Sequence, residues 1–292
     1  MTHTLRNDRI EIKISNHGAE LTSLRDRAAN RELLWQADPA VWGRHAPILF
    51  PVIGALKNDT TEIDGRPYGI PKHGFVRDSE LELLGKHGDR ITFRLCYNDE
   101  TLAQYPYKFD LRITYRLRNE HLIVYHEVTN VDERPIHFCL GGHPAFRVPV
   151  FPGDDYADNF LRFEHPEDSG SYTVQANGTL TTTKRPVPWA AGGTELPLTH
   201  DLFANDALVF DDLDTRSITL ESRNHGPWLK VDFAGWPHLG IWAKTTGDFV
   251  CIEPWIGLSD FENTDGKLAS KPGLVELDPN EVYEMSYDVK LL

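Results

Sequence analysis

The chain is short of positive charge: Lys+Arg number 30 against 44 Asp+Glu in 292 residues, a formal net charge of −14. A protein that tracks phosphate backbones or anionic lipid surfaces needs a basic face, and no Lys/Arg-rich run occurs, so neither nucleic acid nor membrane is expected as a partner. No stretch of about 18 apolar residues is present, so no transmembrane helix is expected. Met1 to Glu11 has no apolar core of the secretory-signal kind, and the expected location is cytoplasmic. Cysteine is scarce: Cys96, Cys139 and Cys251 are too few and too widely spaced for a disulfide framework or a Cys-based zinc site. Each is expected to be a small buried hydrophobe. GxGxxG after a strand, GxxxxGK[ST], HExxH and CxxC are all missing, which removes sequence support for nucleotide, phosphate-loop and common zinc sites, and no metal is expected.

What is present is alternation, the pattern that sends one set of side chains to a buried face and the other to water. Ile10, Ile12 and Ile14 alternate with Arg9, Glu11 and Lys13; Ile91, Phe93 and Leu95 flank Thr92 and Arg94; Leu111, Ile113, Tyr115 and Leu117 follow. Ile218/Leu220, Leu229/Val231/Phe233 and the run Tyr283, Met285, Tyr287, Val289, Leu291 repeat the pattern. Turn formers such as Asp64-Gly65, His87-Gly88-Asp89 and Asp278-Pro279-Asn280 separate the runs. Helical patterns are short: Asn98 caps Asp99–Gln104 before Pro106 stops it, and Asp38–Trp42 is a second brief candidate. The expected fold is all-β, an antiparallel sandwich with few short helices. Hydrophobic residues at 40 % supply a core, and no Pro/Gly/Ser linker divides the chain, so residues 1–292 are read as one domain. The aperiodic stretch from Phe151 to Thr199 is expected to form long loops and hairpins on that sandwich.

Among 13 His, those between polar residues (His3, His87, His121, His165, His225) read as surface groups, whereas two lie in tight apolar segments. One is His73 in Pro71-Lys72-His73-Gly74-Phe75-Val76-Arg77; the other is His143 in Gly141-Gly142-His143-Pro144-Ala145-Phe146. Paired glycines permit close backbone approach and Pro144 restricts the chain after the imidazole, which suits either a positioned functional His or a bulge with a His satisfied in the core. Glu253, framed by Ile252 and Pro254-Trp255, is either a buried carboxyl with a raised pKa or a strand-end group facing water. Arg44 and Arg77 are candidate forks for a polar ligand. Trp35, Trp42, Trp236, Trp242 and Trp255 are candidate flat faces for sugar C–H groups.

The ordered segments Asn16-His17-Gly18-Ala19-Glu20-Leu21, Pro47-Ile48-Leu49-Phe50-Pro51, His73-Gly74-Phe75 with Arg77, Tyr105-Pro106-Tyr107-Lys108-Phe109, Gly142-His143-Pro144-Ala145-Phe146 and Glu253-Pro254-Trp255 span nearly the whole chain. In that order they resemble the aldose 1-epimerase (galactose mutarotase) family, most closely its bacterial LacX-like branch. The resemblance implies a large antiparallel β-supersandwich and an isomerase that interconverts the α and β anomers of a free hexose, with no cofactor. By motif, His143 matches the general acid that protonates the ring oxygen and Glu253 the general base for the C1 hydroxyl. His73 matches a second His that contacts the sugar, Arg44 and Asp206 look like the family's substrate-binding Arg and Asp, and Arg77 joins them as a substrate-binding candidate on its own chemistry. The implied partner is a small sugar of the glucose or galactose type, or its 6-phosphate, with a homodimer as an option for assembly.

Two alternatives stand beside that reading. Arg44, Lys72 and Arg77 could supply the cluster a hexose 6-phosphate requires. A non-catalytic carbohydrate-binding protein on the same fold would retain the scaffold without needing an acid and base pair.

Overall fold

The computed structural model describes residues 1–292. Strands dominate, every pairing between them is antiparallel, and Asp99–Gln104 is the one α-helix. That helix starts as its residues dictate. The Asn98 side chain accepts from the Thr101 N–H, and the Thr101 hydroxyl accepts from the Asn98 N–H, a reciprocal cap. The second helix candidate does not form. At Asp38–Trp42 the Asp38 carbonyl accepts from the N–H groups of Val41 and Trp42, while its side chain accepts from the Ala40 N–H. A side-chain acceptor of this kind offers the backbone a turn in competition with a helix, and a single turn results.

Two large sheets carry the architecture. The nine-stranded sheet runs in the order Glu195–Pro197, Asn159–Phe163, Ser217–Ser222, Gly226–Asp232, Val282–Leu291, His121–Asn130, Phe109–Arg118, Arg90–Cys96, Glu82–His87. The second sheet runs Leu180–Arg185, Ser171–Val174, Leu208–Phe210, His238–Trp242, Phe249–Ile256, Leu140–Gly142, Ile48–Leu49, with Ala145–Arg147 also paired to Phe249–Ile256. The N-terminal strands Thr2–Arg6, Ile10–Ser15, Leu21–Asp26 and Arg31–Glu32 form a four-stranded sheet. The alternation read from the sequence is the alternation of burial: Ile10, Ile12 and Ile14, then Ile91 and Phe93, then Leu111 and Ile113, are fully buried. These side chains join Phe210, Ile241, Phe249 and Ile252 of the second sheet in one apolar cluster, the layered packing of a sandwich.

The stretch from Phe151 to Thr199 does more than form loops and hairpins. It adds Asn159–Phe163 and Glu195–Pro197 to the nine-stranded sheet and the Ser171–Val174/Leu180–Arg185 hairpin to the second. These strands are short, and the hairpin carries a register shift, so their periodicity is too brief to be read along the chain.

Phe249–Ile256 is buried at every position, between neighbours on both sides. Its apolar run is what a strand covered on both faces requires. Glu253 is the exception in that run, and it marks the site.

Candidate active site

The backbone brings three separate segments to the middle of the second sheet. Glu253 is held by Phe249–Ile256, where its Cα pairs with Gly240. Gly240 leaves room for Trp255: a Cβ there would lie 2.4 Å from the indole. His143 follows the strand Leu140–Gly142, whose glycines fit against Trp255 and Tyr287, since added Cβ atoms would come within 2.7 Å of either ring. The Gly-Gly pair therefore lets a strand pass under two large aromatics and delivers the imidazole behind it. The His143 N–H donates to the Pro47 carbonyl at 3.1 Å, and the Glu20 carboxylate accepts from the N–H groups of His45 and Ala46, tying the 45–47 segment to the N-terminal sheet.

His73 sits at φ +65°, a left-handed conformation uncommon for a residue with a β-carbon. Gly74 follows at φ +74°, and its Cα packs so close to the Phe50 carbonyl that a Cβ would stand 1.9 Å from that oxygen. The Gly54 N–H donates to His73 Nδ1 at 3.1 Å, and the His73 N–H donates to the Gly54 carbonyl. With Nδ1 an acceptor, a neutral His73 carries its proton on Nε2.

The two imidazoles meet edge to face, ring centroids 5.7 Å apart, and Trp42 stacks on His143 at 5.1 Å. His143 Nε2 lies 3.1 Å from Glu253 Oε2, out of line for a hydrogen bond, and neither Glu253 Oε2 nor His143 Nδ1 has a partner elsewhere in the protein. Both residues are almost wholly buried, at 7 % and 1 % exposure. Burial sets their protonation. It pushes the Glu253 carboxyl well above the ordinary range, with Asp206 adding to the rise and Lys72 opposing it. It lowers His143 to about 3, helped by the positive charges of Arg77, Lys72 and Arg44. His73 is likewise held well below its ordinary value by burial and by His143. Burial therefore favours the arrangement with a proton on the carboxyl over the one with it on the imidazole.

These groups open onto a cavity of about 280 Å³, small for a ligand site and suited to one small polyol. Its walls carry Trp42, Trp242 and Trp255 as flat apolar surfaces, Asp206 as an acid, and Lys72, Arg77 and Lys244 as cations. Of the sequence candidates, His143, Glu253, His73, Asp206 and Arg77 converge here. Arg44 does not line the cavity. Its guanidinium donates to Asp78 at 2.8 Å and to the Arg77 carbonyl at 3.4 Å, so it stands one layer behind Arg77. Trp35 and Trp236 are also elsewhere, their indole N–H groups donating to the carbonyls of Trp42 and Ser286.

Two residues near the chemistry escaped sequence reading, and a third was a candidate whose place only the fold gives. Lys244 ends the His238–Trp242 strand region and has no local motif. Cys251 lies fully buried beneath the pair, and its position two residues before Glu253 on one strand is the signal that would have placed both on one face. Trp42 was one of several aromatics, and only the fold shows that it is the ring against His143.

The whole chain has relatives. Residues 1–287 match the family described as Aldose 1-epimerase. A protein of Lactococcus lactis subsp. lactis named Protein LacX, plasmid, is 36 % identical over 300 residues, covering 100 % of both chains. Among solved structures, a galactose mutarotase related enzyme from Lactobacillus acidophilus is 32 % identical with a TM-score of 0.93, over 100 % of this chain and 97 % of that one. A galactose mutarotase-like protein from Lactobacillus casei is 32 % identical with a TM-score of 0.89, over 100 % of both chains.

Proposed function

The chain belongs to the aldose 1-epimerase family, and from that premise we propose that it interconverts the α and β anomers of a free hexose by opening and reclosing the sugar ring. The observation that carries this reading is the buried His143–Glu253 pair at 3.1 Å, at the floor of a cavity walled by tryptophans. A pure carbohydrate binder has no use for such a pair, because two unsatisfied buried polar groups cost stability.

The chemistry needs one proton given and one taken. In the closed-ring complex, Glu253 as carboxylate takes the C1 hydroxyl proton while His143 as imidazolium gives its proton to the ring oxygen. The C1–O5 bond breaks, C1 becomes an aldehyde, and the residues end as carboxylic acid and neutral imidazole. Rotation about C1–C2 presents the other face, and the same transfers run backwards. Burial favours the neutral split, so the enzyme groups are most at ease when the ring is open. Both transfers of the opening step discharge a buried ion, and this favours reaction in a site with little water. Hydroxyls of the bound sugar and the nearby Lys72 supply the polarity that shifts the proton from Glu253 to His143 before the ring opens. In this reading His73, donating from Nε2, Asp206 and Arg77 hold sugar oxygens, and Arg44 braces Arg77 through its carbonyl.

A second substrate reading, a hexose 6-phosphate, is favoured by the convergence of Lys72, Arg77 and Lys244 on this cavity in a chain of net charge −14. Polarimetry on freshly dissolved α-D-glucose, α-D-galactose and their 6-phosphates tests both. Acceleration over buffer is expected with at least one of them. Glu253→Gln is expected to lose about 10²- to 10⁴-fold of that acceleration, the usual worth of a general base, while the folded chain still binds the sugar. No acceleration with any of these sugars, or full activity in Glu253→Gln, refutes the proposal.

A further inference from the structure

The acid and base share a donor set with Cys251, a residue that the ring-opening chemistry does not use. Cys251 and Glu253 alternate onto one face of Phe249–Ile256, and His143 approaches that face from the chain beyond Leu140–Gly142. A ligand atom from each, the imidazole nitrogen, the thiol sulfur and a carboxylate oxygen, all lie within 4.8 Å of one another. Tetrahedral zinc with N, O and S ligands at about 2.0 to 2.3 Å sets donors roughly 3.3 to 3.8 Å apart, so sub-ångström movements of the side chains would close the set. A second feature points the same way. Glu253 Oε2 is buried without a hydrogen-bond partner, in a place where such atoms are ordinarily satisfied. Zinc sites with three protein ligands leave a fourth position open, and here His143 and Glu253 line the cavity from which it would be reached.

We propose that His143, Cys251 and Glu253 form a binding site for a thiophilic divalent cation of the Zn²⁺ type, and that the ion, once bound, blocks the sugar site by occupying the acid and base. The blocking part rests on the epimerase reading; the binding part does not. Entry of the ion requires the Cys251 thiol and the Glu253 carboxyl to release their protons to solvent, with His143 neutral, so no redox step is involved. Because both protons leave on binding, binding strengthens as pH rises. Cys251 does not line the sugar cavity, and its loss leaves the acid, the base and the sugar contacts in place.

Co²⁺ is the probe, because a cobalt–thiolate bond produces a near-ultraviolet charge-transfer band that reports binding without any assay of activity. Titrating the full chain with Co²⁺ is expected to produce this band, Zn²⁺ to bleach it, and Cys251→Ala to abolish it while Cys139→Ala keeps it. Glu253→Gln, which retains the side-chain shape, is expected to weaken Co²⁺ binding by about tenfold or more, and it decides the matter even where a Cys251 variant does not fold. Where mutarotation is measurable, Zn²⁺ inhibits in competition with sugar, and Cys251→Ala needs at least about tenfold more Zn²⁺ for the same inhibition. A native chain without the band, a band that survives in Cys251→Ala, or unchanged Co²⁺ affinity in Glu253→Gln overturns the site. A band without mutarotation leaves the metal site standing and overturns the epimerase reading alone.

Discussion

His126 offers a quantitative test of how this fold treats buried polar groups. It sits on His121–Asn130, on the inward face shared with Leu122, Val124 and Val128, fully buried against Trp236 and Tyr287. Neither ring nitrogen has a hydrogen-bond partner, and burial lowers its pKa to about 4, with the nearby backbone of Val124 and Met285 offsetting part of the effect. The sign follows from proton counting. The unfolded chain takes up a proton here below about pH 6.5, whereas the folded chain does so only below about 4. Stability from this residue is thus full above pH 6.5 and falls as pH drops toward 4. The whole shift corresponds to about 3 kcal/mol, of which about 2 kcal/mol is lost between pH 7 and pH 5. His126→Leu removes the titration with little change in volume. Urea unfolding at pH 7 and pH 5 is the assay, comparing the variant with the native chain so that His73, His143 and Glu253 contribute equally to both. The native chain is expected to lose about 2 kcal/mol more than the variant over that interval. Equal losses would refute the reasoning, because they would mean that the imidazole is hydrated or partnered in the folded state.

Two further outcomes follow from the site. The His143–Glu253 pair keeps its single proton from about pH 3 up to a carboxyl value displaced well above the usual one, so kcat/KM should stay nearly level between pH 5 and pH 4. A carboxylate at its ordinary pKa near 4.5 would instead lose roughly two thirds of its activity over that unit, and a pH–rate profile with buffer catalysis subtracted separates the cases. Gly74→Ala forces a Cβ to within 1.9 Å of the Phe50 carbonyl at φ +74°, and backbone must move to relieve it. A loss of roughly 2 to 4 kcal/mol is expected by urea unfolding, with sugar affinity falling because His73 is its neighbour.

The composition of the chain and its alternation set the class of fold, since apolar side chains at every second position have few arrangements besides a β-sheet with one face buried. Ile10–Ser15, Phe109–Arg118 and Val282–Leu291 could be recognised from that pattern alone. So could the Asn98 cap, because it depends on residues within three positions of each other. Short strands such as Ser171–Val174 could not, because four residues interrupted by a register shift leave too little alternation to read. The same division holds at the site. Glu253 in an apolar run and His143 behind paired glycines were visible as oddities of local sequence, but local sequence left each of them open between a functional and a structural role. Only the register of Leu140–Gly142 on Phe249–Ile256 brings the imidazole to 3.1 Å from the carboxyl and buries both at the floor of the cavity. Tertiary structure also moved Arg44 behind Arg77, gave Trp42 its place against His143, and set Cys251 below the pair. The physical reason is range. Propensity, capping and alternation act over a few residues, whereas pKa shifts and donor clusters depend on groups over 100 positions apart in the chain, as with His143 and Glu253.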